Sequence, residues 1–330
     1  VRRGLLLLIG MPVLALLGCA GILIGSRIID PGTAWQALTA FDPGDDAQLI
    51  VRELRVPRTL LAMLVGAALG AAGAIMQALT RNPLAEPGLL GINAGAGAAA
   101  ATGIGLGFTV GAFGHVLFAF AGAAIAAVLV AALGGAFGGG TDPVRLTLSG
   151  AALSVVLGAY TQALLINYPT VFEDFRFWVV GSLQGRDWEL VPAAAAVIIP
   201  ALLVALLLTR SLNAAALGSD LGRALGADLR RTWIVSAVIV IVLCGAATAA
   251  AGPIGFLGLV APLAARQLAG PDYRWIVPLS MIGAAALLTA ADVVARIVTP
   301  PAETRTAILM ALIGAPVFIA VVRRRRLVRL

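Results

Sequence analysis

Lysine is absent from this chain: all 23 basic residues are arginine. Charged residues of both signs make up 12% of the 330 positions, against about 25% in an ordinary soluble domain. A phosphate-cradling P-loop places its lysine on the β- and γ-phosphates, so nucleotide hydrolysis by that route is excluded. Histidine occurs once, at His115, and cysteine twice, at Cys19 and Cys244. Both cysteines lie inside apolar runs and read as small buried hydrophobes rather than a disulfide or a metal pair. No H-E-x-x-H and no Cys/His cluster occurs, and a Ser–His–Asp arrangement would have to use His115, which sits in a Gly/Phe-rich turn with no acidic neighbour. The chain lacks the equipment of an enzyme and of a resident metal site, and no cofactor is expected in it.

What it has in excess is apolar length. Hydrophobic residues make up 60% of the chain, and the mean hydropathy is +1.01. Continuous apolar runs recur along the sequence, each of the size that crosses a hydrocarbon core of about 30 Å. Their continuity argues against the alternating pattern of a β-barrel. The expected fold is an all-α polytopic membrane protein of about ten transmembrane helices in one transmembrane domain, residues 1–330. The spans fall near 4–25, 59–80, 88–107, 113–134, 146–168, 188–210, 231–251, 255–270, 275–297 and 306–322, and the longest loops are 26–58, 169–187 and 211–230. The first span imitates a signal peptide, with Arg2 and Arg3 before "LLLLIGMPVLALLGCAG", and is read as an uncleaved helix. The net charge of +7 reflects arginines between spans and in the tail "RRRRLVR", which anchor and orient the protein rather than bind nucleic acid. An even span count with a basic tail places both termini in the cytoplasm.

By that topology "RELRVPR", residues 52–58, lies outside with three arginines, against the usual bias. Asp292 and Arg296, four apart near the outer end of the ninth span, can meet on one helix face as a local ion pair. Gly66/Gly70 and Gly91/Gly95 have the small-xxx-small spacing that lets membrane helices approach closely. Three polar breaks interrupt the runs. "RNPLAEPG" (81–88) contains Pro83 and Pro87, which force a tight non-helical turn. "LNAAALGSDLGRALGADLRR" (212–231) repeats Leu217, Leu221 and Leu225 beside Gly218, Gly222 and Gly226, a pattern for short helices at the membrane face. "AGPIGFLGLVAPLAARQLAGPDYRW" (251–275) predicts a short, bent span.

Together these blocks resemble the FecCD-type permeases. The strongest part is "RVPRTLLAMLVGAALGAAGAIMQALTRNPLAEPGLLGINAGA" (55–96), followed in the family's order by "LNAAALGSDLGRALGA", "AGPIGFLGLVAPLAARQLAGPDYR" and "ALIGAPVFIAVVRR". The resemblance implies the type II ABC importer permease fold, a single transmembrane permease domain in the inner membrane that is not itself an enzyme. It also implies a second permease subunit, identical or related, with a central path between the two. Two ABC ATPase subunits carrying ATP-Mg would dock beneath, and a siderophore-binding protein outside. Arg55, Arg58 and Arg296 match family positions that pair with acidic residues of the binding protein, while Arg52 lies outside the pattern. The 212–231 stretch matches the coupling loop that seats on the ATPase, with Leu217, Gly218, Asp220, Gly222, Arg223 and Gly226. Asn82, Pro83 and Leu84 match an inner gate, with Thr141 and Asp142 as its second element.

The sequence departs from the family pattern twice. The usual Pro-His is Pro262-Leu263, and the usual Glu-Leu-Pro-Val-Gly is Glu303-Thr304-Arg305-Thr306-Ala307. Without that proline and glycine, the start of the last helix should be more regular, and one explanation is a heterodimer whose sister permease keeps the pattern. A ferric siderophore is the favoured cargo, and haem and cobalamin are the alternatives within the family. An ATPase-independent secondary transporter is the alternative from another class.

Overall fold

The computed structural model describes residues 2–108, 111–135, 143–218, 228–299 and 302–323. Every regular element in it is helical. In chain order the helices are α1 (Arg2–Leu23), α2 (Pro31–Thr39), α3 (Asp46–Leu49), a π-helical stretch (Ile50–Arg55), α4 (Val56–Thr80), a 3-10 turn (Pro87–Leu90), α5 (Ile92–Gly105) and α6 (Gly111–Leu133). There follow α7 (Pro143–Asn167), α8 (Pro169–Val179), α9 (Leu190–Leu207), α10 (Thr209–Ala216), α11 (Leu229–Ala251), α12 (Leu257–Ala269), α13 (Tyr273–Ala295) and α14 (Thr306–Arg323).

Each of the ten expected spans has a helix at its place. Among the described residues seven helices are long and apolar enough to cross a membrane, while α12 and α14 are shorter apolar helices. With 14 residues, α5 reaches only about 21 Å. The third span therefore starts later than the hydropathy predicts, because Pro83, Pro87 and the left-handed Gly91 (φ +70°) keep the approach out of the α conformation. The expected loop 26–58 also differs. It carries α2 and α3, each capped by an aspartate: Asp30 accepts from Gly32 N and Thr33 N, and Asp45 from Ala47 N. From Asp46 the helix then runs unbroken to Thr80 over 35 residues. Pro57 explains the π-helical stretch. It has no N–H and its ring crowds the carbonyl four residues back, so the ladder widens and Val56 N–H reaches Val51 O.

Close packing of backbones joins the bundle centre. On α4, a Cβ at Gly66 would stand 2.6 Å from Ala285 Cα, and one at Gly70 would stand 2.2 Å from Ser280 O. Gly73 lies against α12, where its Cβ would be 1.9 Å from Gly258 O. Gly95 on α5 and Gly122 on α6 meet in the same way. In apolar surroundings such contacts replace the hydrophobic drive that lipid cannot supply. Gly91, expected to pack with Gly95, has only ordinary contacts from 3.6 Å outward, and its role is the left-handed turn before α5. Of the cysteines, Cys244 is buried as expected, whereas Cys19 is exposed on α1.

These contacts orient the bundle. Arg3 of α1 lies 4.0 Å from Asp272, so the turn before α13 belongs to the face where α1 begins, the N-terminal face. α4 runs antiparallel to α13, and Arg58 meets Asp292 at the opposite, arginine face.

Candidate functional site

The arginine face is built from α1, α4, α13 and the segment before α14. Arg58 donates from Nε to both Asp292 oxygens at 3.1 and 3.0 Å, and from Nη2 to Oδ1 at 2.9 Å. Its Nη1 meets Glu303 Oε2 at 2.5 Å. Arg296 donates from Nε to Asp292 Oδ2 at 3.0 Å, and its Nη2 bonds the same oxygen. Its Nη1 donates to Gly21 O at 2.6 Å. The Thr306 hydroxyl completes the aspartate's shell at 2.8 Å. Two cations and two anions thus balance in an interior where an unpaired charge is costly.

Arg55 plays a different part. Its Nη1 donates to Ile22 O at 2.9 Å and Leu23 O at 2.8 Å, and its Nη2 bonds Arg27 O. The last carbonyls of a helix lack intrahelical partners and carry its negative dipole end. Arg55 and Arg296 together supply those partners for α1, a helix that is otherwise little buried.

The expectation of an outward-facing docking set meets a different geometry here. Arg55, Arg58 and Arg296 are 6%, 7% and 2% exposed, and each guanidinium is bonded within the chain. The reason is tertiary: antiparallel packing of α4 on α13 places Asp292 between Arg58 and Arg296, so the local pair read from the sequence is one side of a larger network. The departure from the family pattern enters here as well, since Glu303 and Thr306 both belong to that network. Residues 303–305 are not helical; Thr304 N donates to Ala295 O at 3.0 Å, and α14 begins at Thr306. The exposed arginine of the "RELRVPR" stretch is Arg52, which lies 4.4 Å over the Phe41 ring and whose carbonyl accepts from Trp188 Nε1 at 2.7 Å.

Two of the sequence's polar breaks meet inside the bundle. Glu86, from the proline turn, accepts the Phe256 N–H at 2.7 Å. Phe256 has φ +66° and is the N-cap of α12, which starts beside Leu69 and Gly73, halfway along α4. The carboxylate therefore sits at the positive end of a helix that begins in mid-bundle. Thr248 donates to Asn93 Oδ1 at 3.0 Å and ties α11 to the first turn of α5. Neither contact is legible in the sequence, because Glu86 and Phe256 are 170 positions apart and Asn93 and Thr248 are 155 apart.

At the N-terminal face, Asn82 Oδ1 accepts Leu84 N–H at 2.9 Å, and this makes the "NPLA" turn self-supporting around Pro83. The stem of the expected coupling loop approaches it: a Cβ on Gly218 (φ +100°) would stand 3.4 Å from Arg81 Nη1. Leu217 ends α10 and is 55% exposed. Asp220, Gly222, Arg223 and Gly226 lie outside the described residues, as do Thr141 and Asp142. On the far side of the loop Asp228 caps α11 by accepting Arg231 N–H at 3.0 Å.

Beside this stem, Asn213 and Asp272 form a polar joint. Asn213 Nδ2 donates to Asp272 Oδ1 at 2.7 Å, and Asn213 Oδ1 accepts Tyr273 N–H at 2.8 Å. The Arg274 side chain, bonded to the Asp272 carboxylate, pulls its pKa down to about 2 against the upward push of burial; Asn213 and the Arg274 N–H add to the pull. A carboxylate depressed in this way contributes its stabilisation above the ordinary range near pH 4, and loses it only as the pH falls from about 4 toward 2. Amide exchange in the first turn of α13, corrected for intrinsic rates, is expected to be flat from about pH 8 to 5 and to rise only below about 4. A rise already near pH 6 would show that Asp272 is not held in this way.

Comparison with known proteins identifies the family and the fold. The FecCD transport family matches residues 13–324. The chain belongs to that family. Among relatives, it is 42% identical to the ferric enterobactin transport system permease protein FepD of Escherichia coli (strain K12), over 96% of this chain and 94% of that one. It is 35% identical to the hemin transport system permease protein HmuU of Yersinia pestis, over 97% and 95% of the two chains. It is 37% identical to the cobalamin import system permease protein BtuC of Halobacterium salinarum, over 90% and 82%. In structure it superposes on a chain of a metal-chelate-type ABC transporter in an inward-facing conformation with a TM-score of 0.83. That likeness, at 24% identity, covers 98% of this chain and 99% of that one, and it shows the shared fold. As a FecCD family member the protein is a membrane transport permease, and its long apolar helices fit that location.

Proposed function

We propose that this chain is the permease subunit of a binding-protein-dependent ABC importer that carries ferric siderophores across the inner membrane, with both termini in the cytoplasm. The observation that carries the reading is the 42% identity to the ferric enterobactin permease over 96% of the chain, which exceeds the identity to the haem and cobalamin permeases. ATP-Mg is hydrolysed on two partner subunits seated at the N-terminal face around the α10–α11 loop. A second permease, the same or related, completes the path. α7 exposes Leu148, Val155 and Val156, which suits lipid or that second subunit. The binding protein docks at the arginine face. Because Arg58 is paired with Glu303 there, docking through Arg58 requires a partner carboxylate to replace Glu303, a mode open to guanidinium forks.

The test is uptake of radioiron-labelled ferric enterobactin by cells lacking this chain, complemented with the unaltered protein, together with affinity purification of its complex. Restored ferric uptake with a co-purifying ABC ATPase is the expected result. Restoration of haem or cobalamin uptake instead would overturn the cargo. Transport that persists in cells without the ATPase would overturn the ABC mechanism in favour of a secondary transporter.

A further inference from the structure

The stem of the coupling loop is short. α10 has eight residues, Thr209–Ala216, and is separated from α9 only by Leu208. Its Leu212 is fully buried, while its Asn213 faces the turn between α12 and α13. That one side chain bonds two consecutive residues, the N-cap and first residue of α13, and uses both ends of its amide: it donates to the Asp272 carboxylate and accepts the Tyr273 N–H. An amide does both from the two ends of one planar group. A carboxylate at 213 would accept from Tyr273 but repel Asp272, and an apolar residue would do neither.

The residues it grips are themselves fixed. Asp272 caps α13 by accepting Arg274 N–H at 3.0 Å and receives the Arg274 guanidinium at 3.1, 3.1 and 2.9 Å. Tyr273 is 1% exposed, and its hydroxyl accepts from Arg266 Nη2 at 2.6 Å. Arg266 lies on α12, so one bonded step leads from α10 into α13 and a second, through the Tyr273 side chain, into α12. α12 is the helix that begins in mid-bundle against Glu86, and α13 carries Asp292 and Arg296 at its other end. A displacement of α10 cannot leave this turn behind without breaking short, directional bonds, whereas an apolar contact would let it slide.

We infer that Asn213 is a positioning residue that couples movement of the ATPase-docking loop to α12 and α13, the amide–carboxylate joint with Asp272 being the link. This rests on the ABC permease reading above. Coupling through such a network is established only by a measurement that separates it from mere stability.

The experiment uses the intact complex, this chain with its ATPase and binding protein, in proteoliposomes supplied with ferric enterobactin, and reads ATP hydrolysis and uptake separately. Asn213→Ala removes two bonds, one of them to a charged group, and is expected to lower uptake per ATP hydrolysed by about tenfold while the complex still assembles and hydrolyses ATP. Asn213→Asp alone should be as poor. The reciprocal exchange Asn213→Asp with Asp272→Asn restores the pairing with reversed polarity, since the carboxylate now at 213 accepts both the Tyr273 N–H and the amide now at 272. It is expected to recover most of the coupling. Unchanged uptake per ATP in Asn213→Ala would overturn the inference, as would a fall of both rates in step with the amount of folded complex. Should Asn213→Ala not accumulate, the reciprocal exchange decides: accumulation with coupled transport supports the joint, and accumulation without it overturns the joint. If the unaltered chain recruits no ATPase, the permease reading falls first and this inference with it.

Discussion

Asp292→Ala is expected to prevent accumulation of the folded chain, or to lower its thermal stability in detergent more than any other single change at the arginine face. Asp292 is 1% exposed and holds both Arg58 and Arg296, and it accepts the Thr306 hydroxyl as well. Its removal leaves two buried guanidiniums to share Glu303, whose ion pair among the described residues is with Arg58. Breaking a buried ion pair from one side costs about 3–5 kcal/mol, because the remaining charge is uncompensated. Three elements would loosen together: α4 through Arg58, α1 through the bond from Arg296 to Gly21 O, and the start of α14 through Thr306. Glu303→Gln is the internal comparison. Its carboxylate is 18% exposed and meets one arginine, so the cost should be only about 1 kcal/mol. Thermal unfolding monitored by fluorescence-detected size exclusion distinguishes the two. Equal effects would mean that Asp292 is not the hub of the network.

Gly73→Ala is expected to have the next largest effect, although it adds a single methyl group. The new Cβ would stand 1.9 Å from Gly258 O, 2.5 Å from its C and 2.6 Å from its Cα. All three are backbone atoms, so no side chain can rotate away, and α4 and α12 must separate. Overpacking of a filled core costs about 1–3 kcal/mol and sometimes more, and this contact belongs at the upper end. The disturbance would also pass to the Glu86–Phe256 bond, two residues before Gly258. Gly283→Ala is the control, because nothing lies within 4 Å of a Cβ there. It should be neutral or stabilising by about 0.5–1 kcal/mol, as an alanine replaces glycine inside a helix. A Gly73→Ala protein that melts with the Gly283→Ala protein would show that the two helices do not touch as described.

The membrane-spanning character was legible in the chain because hydropathy is a local sum: a run of Leu, Ala and Val carries its own reason to leave water. The proline turn at 81–88, the short α12 after "GPIGF" and the Gly66/Gly70 contact were legible for a similar reason, since φ restriction and i,i+4 spacing act within a few residues. The family resemblance followed from whole blocks in order. What no local rule could supply was which charges face one another. Arg58 and Asp292 are 234 positions apart, and whether an arginine before a span points outward or into the bundle depends on what the antiparallel partner helix presents at that level. Here α13 presents an aspartate, so three arginines read as partner-facing are buried and bonded within the chain. Asn213 and Asp272 were hidden for the same reason, as polar residues in a loop and a turn that become a joint only once α10 lies against α13. Composition and local periodicity thus specified the kind of molecule and most of its helices. Helix register, which summed hydropathy does not encode, brought Arg58, Asp292 and Arg296 together and so placed the arginine face, the mid-bundle helix start and the Asn213–Asp272 joint.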